Sequence, residues 1–226
     1  MFIAGSSGSL NLAVTPPTHT DAMLTKLLER TGTLEYEEDG WTTITSADWR
    51  GSDLILLLCV HVPGSPDSQF RITCKQARSH HIIAAANDHL VWLGTEHVVL
   101  WPHNQQQNEL YFNGTSTDAL SLFGALIEAQ RSVLGNWFPV DHFLNLPGRS
   151  TAILRGGHGL LAKGPESLLD TFGSILNSYG IKHSRLAPRN PVWWNGNQWT
   201  LENEQLHALI VGDSYVVASS FTEKRV

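Results

Sequence analysis

The sequence predicts an α+β protein: an antiparallel, strand-rich barrel or sandwich closed by an amphipathic helix, followed by a smaller mixed α/β unit. Three observations lead to this prediction. Short strand-like runs follow one another between residues 34 and 112, with turn signals between them. Residues 117–134 have a clear helical period with a marked start and stop. Beyond residue 146, helical and strand patterns mix and end in a hairpin signal.

The helix of residues 117–134 is the best-marked element. Its apolar residues recur at three- and four-residue steps, namely Ala119, Leu120, Phe123, Leu126, Ile127 and Leu134. Thr117 is the predicted N-cap, and Gly135 follows the last turn. We therefore expect a helix that covers one open end of the strand-rich unit, with Phe123 and Leu126 in the core.

The predicted strands before this helix are short and regularly spaced. A first helix over residues 18–32, capped by Thr18 or Thr20, precedes a hairpin over residues 34–44. Further strands are predicted at residues 53–62, 69–77, 81–85, 89–93, 97–101 and 109–112. This spacing favours an antiparallel meander.

The chain is predicted to divide near residue 145, with residues 1–145 as the strand-rich unit and residues 146–226 as the smaller one. Residues 146–150 form the joint and residues 151–154 a strand, and the two units are free to pack as one domain. A second helix opens at Gly164-Pro165 and ends at Gly180, with Leu168, Leu169, Phe172, Ile175, Leu176 and Tyr179 on its apolar face. Gly212-Asp213 joins two apolar runs as a hairpin.

Composition and charge exclude several classes of protein. With 42% hydrophobic and 16% charged residues, the chain of 226 residues is of the folded rather than the disordered type. Residues 1–145 carry 7 Lys and Arg against 15 Asp and Glu, and residues 146–226 carry 8 against 6, which gives the net charge of −6. This balance argues against nucleic-acid binding. No apolar run approaches the ~18 residues of a membrane span, and the first residues lack the cationic start of a secretory signal, so we expect a cytoplasmic protein without a membrane partner.

The two cysteines fit a reducing compartment. A register centred in the loop between the strands of residues 53–62 and 69–77 places Cys59 opposite Cys74. The sequence leaves open whether the two thiols are bonded, and two free thiols are the favoured alternative.

No constellation of residues predicts catalysis, a metal or a cofactor. The eleven histidines include a group at His80, His81, His89, His97 and His103, but none forms a helical HxxxH pair. Gly157-x-Gly159-x-x-Ala162 matches the loose dinucleotide-binding pattern, yet Pro165 delays the helix that should follow at once. The sequence has no Gly-x-Ser-x-Gly nucleophile elbow and no cysteine in a turn typical of catalysis. We therefore predict no catalytic residue, no metal and no cofactor, and lean against an enzyme.

The most unusual segment is residues 192–199, which holds three of the eight tryptophans. Asn195-Gly196 is the preferred centre of a two-residue type I′ hairpin. That register pairs Trp194 with Asn197 and Val192 with Trp199.

This register divides the side chains of the hairpin between two faces. Val192, Trp194 and Trp199 share one face, which we expect to pack inward. Trp193 and Gln198 lie on the other, where a partly exposed indole suits a protein partner or a sugar ring. The favoured alternative is a ribbon whose rings only cover the core.

Two functions follow from these patterns. The first is a non-catalytic intracellular interaction protein of the immunity or adaptor type, which binds a basic protein through its acidic larger part. Its candidate binding residues are Trp193, Trp194, Gln198 and Trp199, together with the acidic Glu37, Glu38 and Asp39. The second is an enzyme or small-ligand protein with a pocket lined by His and Trp between the two units.

Overall fold

The computed structural model describes residues 24–84, 86–145 and 156–226. The described helices are α1 (Thr25–Thr31), α2 (Leu34–Asp39), α3 (Trp101–Asn104), α4 (Ala119–Leu134) and α5 (Glu166–Ser178), with 3-10 turns at Val98–Leu100 and Val140–His142. The described strands are β1 (Trp41–Arg50), β2 (Asp53–His61), β3 (Ser68–Lys75), β4 (Ser79–His81), β5 (Val91–Gly94), β6 (Gln107–Asn113), β7 (His158–Pro165), β8 (Lys182–Arg185), β9 (Val192–Trp194), β10 (Trp199–Leu201), β11 (His207–Val211), β12 (Ser214–Ala218) and β13 (Ser220–Arg225). Because the strands of each sheet pair antiparallel, the predicted α+β class with antiparallel sheets is confirmed.

The described strands are divided among four sheets. The first has the order β1-β2-β3-β13, the central one β4-β12-β11-β5 and the third β7-β6-β8, while β9 and β10 form a two-stranded ribbon. These strands form no closed barrel, so the predicted barrel or sandwich is not confirmed. Each of the three larger sheets combines strands from both sides of residue 145. The predicted domain boundary stays a prediction.

The hairpin of β11 and β12 is buried on both faces. Every strand residue of this hairpin is buried. Leu209, Val211, Val216 and Ala218 pack in a first core with the first sheet, α1 and α2, and Ala208, Ile210, Tyr215 and Val217 pack in a second core with α4, α5 and the third sheet. The predicted turn at Gly212 is confirmed, with φ of 56°. The central sheet therefore joins two hydrophobic cores.

Helix α1 covers the first core and is held there by the last strand. Leu24 and Leu27 are buried. The Glu223 carboxylate on β13 accepts the backbone N–H of Lys26 at 2.7 Å and that of Leu27 at 2.9 Å, and the helix dipole favours an acid at this end. Gly32 ends α1 as predicted. The predicted caps at Thr18 or Thr20, the joint of residues 146–150 and the strand of residues 151–154 lie outside the described residues.

Helix α4 begins one residue later than predicted. Asp118, and not Thr117, is the N-cap, because its carboxylate accepts the N–H of Ser121 at 3.0 Å. Gly135 follows the last turn as predicted, and its N–H donates to the Arg131 carbonyl at 2.8 Å.

The buried face of α4 differs from the predicted stripe. Leu122, absent from that stripe, is fully buried, whereas Leu120 is 67% exposed. Phe123 is half-buried and Leu126 is buried as predicted. Helix α5 packs against α4, and this contact determines which side of α4 faces the core. The buried stripe of α4 is therefore centred on Leu122 and Leu126.

Residues 34–39 form α2, and not the first strand of the predicted hairpin. The Thr33 hydroxyl accepts the N–H of Tyr36 at 3.3 Å, and the acidic residues of the first turn suit the helix dipole. The buried Tyr36 hydroxyl shares a hydrogen bond of 2.8 Å with the Thr42 hydroxyl. This bond docks α2 on β1.

Residues 97–101, predicted as a strand, form a 3-10 turn that runs into α3. The His97 ring accepts the N–H of Val99 at 3.3 Å as a cap. Pro102 lacks the N–H that a strand ladder needs, and its fixed φ suits the first turn of a helix. The strands predicted at residues 81–85 and 89–93 are replaced by the shorter, displaced β4 and β5.

The predicted hairpin of β2 and β3 is confirmed, but its register separates the two thiols. The turn is centred on Gly64, which has φ of 75°, so that Cys59 pairs with Gln69 and Cys74 with Leu54. Both cysteines are free. Burial, with a smaller contribution from the charge of Asp53, raises the pKa of Cys74 to about 12. Cys74 is therefore a neutral thiol at neutral pH.

Helix α5 follows its prediction closely. It begins at Glu166, one residue after Pro165, and Gly180 follows its end with φ of 70°. The predicted apolar face is buried at Leu168, Leu169, Phe172 and Leu176, while Ile175 is half-buried and Tyr179 is 36% exposed. None of the helices in the described ranges has the length and apolar character needed to cross a membrane.

The position of the α4 stripe can be tested with a matched pair of Leu→Ala changes. We expect Leu122→Ala to lower the free energy of unfolding by about 2–5 kcal/mol, because it opens a cavity in the second core. Leu120→Ala, on the exposed side of the same helix, should change it by less than about 0.5 kcal/mol. Urea denaturation measures both, and equal effects of the two changes would contradict the described orientation of α4.

Candidate functional site

The aromatic ribbon, residues 192–201, has a register two residues away from the predicted one. Trp194 pairs with Trp199, and Val192 pairs with Leu201. The turn has four residues, since the N–H of Asn195 donates to the carbonyl of Gln198 at 3.1 Å. The Asn195 side chain also accepts backbone N–H bonds within the turn, at 3.0 and 2.9 Å. These bonds centre the turn one residue later than predicted, on Gly196-Asn197, and bring the two indoles together as a cross-strand pair.

The outer face of the ribbon, formed by Val192, Trp194, Trp199 and Leu201, is exposed to solvent. The exposed fractions of these residues are 53%, 52%, 67% and 51%. The rings of Trp194 and Trp199 meet edge to face, with centroids 5.7 Å apart. The sequence correctly placed Val192, Trp194 and Trp199 on one face, but the prediction that this face packs inward is wrong.

The inner face of the ribbon rests on a buried ion pair. Trp193, predicted to be the partly exposed contact residue, stacks on the guanidinium of Arg78, whose carbon lies 3.5 Å from the ring centroid. Nε of Arg78 donates to the Glu202 carboxylate at 2.7 Å, and the side chains of Arg78 and Glu202 are only 2% and 3% exposed. The face of Trp193, which the sequence analysis predicted to be partly exposed, is therefore the face that anchors the ribbon.

Further hydrogen bonds satisfy this ion pair. Nη1 of Arg78 donates to the Gln76 carbonyl at 2.8 Å, and Nη2 lies 3.4 Å from the carboxylates of both Glu202 and Glu204. The N–H of Glu202 donates to the Pro191 carbonyl at 3.0 Å, which closes the base of the ribbon. Burying two charges is costly unless their donors and acceptors are paired. Because the pair is so fully bonded, it fixes the ribbon on the body of the protein.

His103 completes the buried cluster beneath the ribbon. Its Nε2 lies 3.1 Å from the Ser79 hydroxyl. Burial, against the opposing charge of Glu202 and with a smaller contribution from the charge of Arg78, lowers the pKa of His103 to about 4. A neutral imidazole of such low basicity is a poor acceptor for a serine proton. The Ser79–His103 pair is therefore better suited to holding the cluster together than to nucleophilic catalysis.

Two clefts flank the ribbon. The larger cleft has a volume of about 830 Å³ and is lined by Trp199, Leu201 and Val192 together with Asn108, His142 and Arg189. The smaller cleft, of about 780 Å³, is lined by Trp193, Trp194, Arg78 and His103. Val192 and Trp199 line both clefts, so the outer face of the ribbon is a ridge between them.

His142 lies on the wall of the larger cleft. Its ring stacks on that of Phe138 at 4.6 Å and meets that of Phe143 edge to face at 4.5 Å. Burial lowers the pKa of His142, against the opposing charge of Asp141. The ring therefore favours the neutral form and contributes an imidazole edge, rather than a charge, to the cleft.

The structure brings only part of the predicted binding set together. Trp193, Trp194, Gln198 and Trp199 all belong to the ribbon, with Gln198 exposed in its turn. The acidic residues Glu37, Glu38 and Asp39 are exposed on α2, and they line neither cleft. The acidic surface and the aromatic ribbon are therefore separate features.

The histidines grouped in the sequence are dispersed in the structure. His80 meets the ring of Trp49, His89 bonds to the Gly40 carbonyl, and His97 lies between Trp92 and Trp137. Across the described ranges, no group of three or more His, Cys, Asp and Glu residues is placed to hold a metal ion. The prediction of no metal and no cofactor stays a prediction.

Sequence reasoning missed the ion pair of Arg78 and Glu202. The two residues are 124 positions apart, and neither belongs to a motif. The only indirect signal was the tryptophan-rich segment itself, which needed a partner for one of its faces.

Comparison of the chain with protein-family models, with curated proteins and with solved structures gave no match.

The assignment of the two ribbon faces predicts losses of stability of different size for two adjacent tryptophans. Trp193→Ala should lower the free energy of unfolding by about 2–4 kcal/mol, because it uncovers the buried Arg78 and removes a cation–π contact. Trp194→Ala should lower it by about 1 kcal/mol or less, since the ring is half exposed. Urea denaturation of the two variants decides between the faces, and a larger loss for Trp194→Ala would restore the inward face expected from the sequence.

The low pKa of His103 predicts a pH dependence of stability. As the pH falls from 6.5 towards about 4, the unfolded chain binds a proton at His103 and the folded protein does not, so stability falls across this window. The loss should be about 3 kcal/mol. His103→Gln removes this titrating group, and its amide can keep the bond to Ser79, so the pH dependence of its stability should be flatter by about that amount. His97 and His142 are present in both proteins, so their contributions cancel in the comparison. Parallel pH profiles of the two proteins would contradict the assignment.

Proposed function

We propose that this protein is a non-catalytic interaction protein that binds a partner protein through the outer face of the aromatic ribbon. The observation that carries the proposal is the exposure of four neighbouring apolar residues, each more than half exposed, on one face of a two-stranded ribbon. Contiguous apolar surface of this kind is unfavourable in water and marks binding sites. Aromatic side chains are also the residues most enriched at the centres of protein interfaces.

The anchoring of the ribbon supports this proposal. Trp193 and Glu202 tie both strands of the ribbon to Arg78, so that the outer face is held in one position before a partner arrives. A surface that is ordered in advance loses less conformational entropy on binding. An aromatic face that is both rigid and exposed is suited to recognition.

A small-ligand protein is the second candidate, and the larger cleft favours it. Its volume of about 830 Å³ lies within the range of small-molecule sites, and its lining includes both His142 and Trp199. The ridge nevertheless continues past this cleft to Trp194 and the smaller cleft. A protein partner covers the whole ridge, and a small ligand covers part of it.

The net charge supports a basic partner at long range. A charge of −6 attracts positive proteins and repels negative ones over about a Debye length. Glu37, Glu38 and Asp39 contribute to this field from α2, away from the ribbon. The groups that face the clefts, and not the net charge, determine the contact itself.

The proposal can be tested with a matched pair of exposed leucines. Leu201 is 51% exposed on the ribbon, and Leu90 is 53% exposed elsewhere. Immobilised wild-type protein and Leu90→Ala should retain the same partner from an extract of the cells that make the protein. Leu201→Ala and Trp199→Ala should weaken that interaction by about 2 kcal/mol, the usual size of an interface hot spot.

Two outcomes of this experiment are decisive. Equal retention of every bound protein by all four samples would contradict a role for the ribbon. Analytical ultracentrifugation of the same proteins shows whether the partner is a second copy of the chain, in which case the wild type sediments as an oligomer and Trp199→Ala as a monomer.

A further inference from the structure

We propose that the larger cleft binds an acidic segment of the partner protein, with an apolar side chain of that segment packed on Trp199 and its carboxylates facing Lys163 and Arg189. This inference rests on the proposed function of the ribbon. It adds the chemistry of the partner at the point of contact, which the net charge of the protein does not indicate.

The apolar wall of the larger cleft comes from the ribbon and the segment that leads to it. Trp199, Val192 and Leu201 belong to the outer face of the ribbon, and Leu186, which is 44% exposed, lies beside them. An indole face with aliphatic side chains around it accommodates an aromatic or branched side chain. This wall therefore provides an apolar anchor point within the cleft.

Two cationic side chains line the same cleft. Lys163 on β7 is 65% exposed, and its nearest carboxylate, that of Glu109, is 3.8 Å away. The backbone of Arg189 exchanges two hydrogen bonds of 2.8 Å with Gln107, which fixes its position beside β6. Within the described part of the chain, the exposed guanidinium of Arg189 makes neither a hydrogen bond nor an ion pair. The guanidinium of Arg189 is therefore available to a ligand, and the exposed Lys163 has only the long ion pair with Glu109.

Among the described residues that line this cleft, the single acidic one is Glu109, and it is already engaged. The Glu109 carboxylate accepts the hydroxyl of Tyr111 at 3.0 Å and faces Lys163. The lining thus holds two cations and one carboxylate, whereas the whole chain has 15 Lys and Arg against 21 Asp and Glu. The local charge is opposite in sign to the net charge, and complementarity at short range favours an acidic ligand.

The shape of the site favours a peptide segment over a small anion. The apolar wall does not end with the cleft, because Val192 and Trp199 continue it to Trp194 and the smaller cleft. An extended segment can place one apolar side chain on Trp199, acidic side chains towards Lys163 and Arg189, and further residues along the ridge. A small aromatic anion uses only the first two of these contacts.

Selection from a displayed library of random short peptides tests the inference directly, since such a selection requires no identified partner. We expect peptides enriched on the wild-type protein to combine Asp or Glu with an aromatic or branched apolar residue. In fluorescence anisotropy with the synthesised peptides, the double variant Lys163→Glu, Arg189→Glu should bind at least about tenfold more weakly. Lys182→Glu, an exposed charge reversal outside the cleft, is the matched control and should bind as the wild type does. Urea midpoints of all variants show that each remains folded.

The outcomes separate this inference from the proposed function. Basic or uncharged peptides that lose binding in Trp199→Ala would overturn the acidic segment and leave the ribbon as a binding surface. Peptides that bind Trp199→Ala and Leu201→Ala as tightly as wild type would overturn both. If indole-3-acetate alone bound as tightly as the selected peptides, the cleft would be a site for small anions, and the proposed peptide ligand would be wrong. The same selection is carried out on Trp199→Ala. If the wild-type protein enriched no peptide sequence above the level found with this variant, the inference would be overturned as well.

Discussion

The burial of the β11–β12 hairpin on both faces is the constraint on which the rest of the structure depends. Alternate side chains of one strand pair belong to two different cores, so a change of register by one residue would exchange the contents of both. Within the described residues, the apolar face of the first sheet with α1 and α2 packs on one side of this hairpin, and that of the third sheet with α4 and α5 packs on the other. The two layers are therefore coupled through ten residues, and the elements that carry the ribbon are fixed by them.

The ribbon is secured by a different kind of interaction. The body of the protein is held by apolar packing, whereas the ribbon is held by the Arg78–Glu202 pair and the ring of Trp193. A buried charge pair contributes little net stability compared with apolar residues of the same size, but it has strict geometry. Such an anchor specifies the orientation of the ribbon more than it strengthens the fold, which suits a surface whose outer face must stay exposed.

The sequence predicted elements whose signals are local. Helix α5, the turn at Gly212 and the stop of α4 at Gly135 were all visible, because each depends on a few adjacent residues. The helix at residues 34–39 and the turn at residues 97–101 were misassigned, because a cap at Thr33 and the proline at position 102 outweighed short apolar runs.

The candidate site was predicted only in part. Trp193, Trp194 and Trp199 were chosen correctly as members of one ribbon, but their faces were reversed. What decides the faces is the contact with Arg78, which lies over a hundred positions earlier in the chain. The alternation of apolar and polar residues contains no information about such a distant contact. Because the ribbon has apolar residues on both faces, its composition is compatible with either face packing against the protein.

The contact between Glu223 and the first turn of α1 has a consequence for how the chain reaches its folded state. The first sheet gains its last strand, and α1 its acidic cap, only from residues 220–225, and both cores await residues 207–218. Since a chain leaves the ribosome from its N-terminal end, neither core can close before residues 207–218 have emerged. During that interval the apolar sides of β2, β6 and α4 lack the strands that cover them in the folded protein, and exposed apolar surface of this kind makes an incomplete chain prone to aggregation.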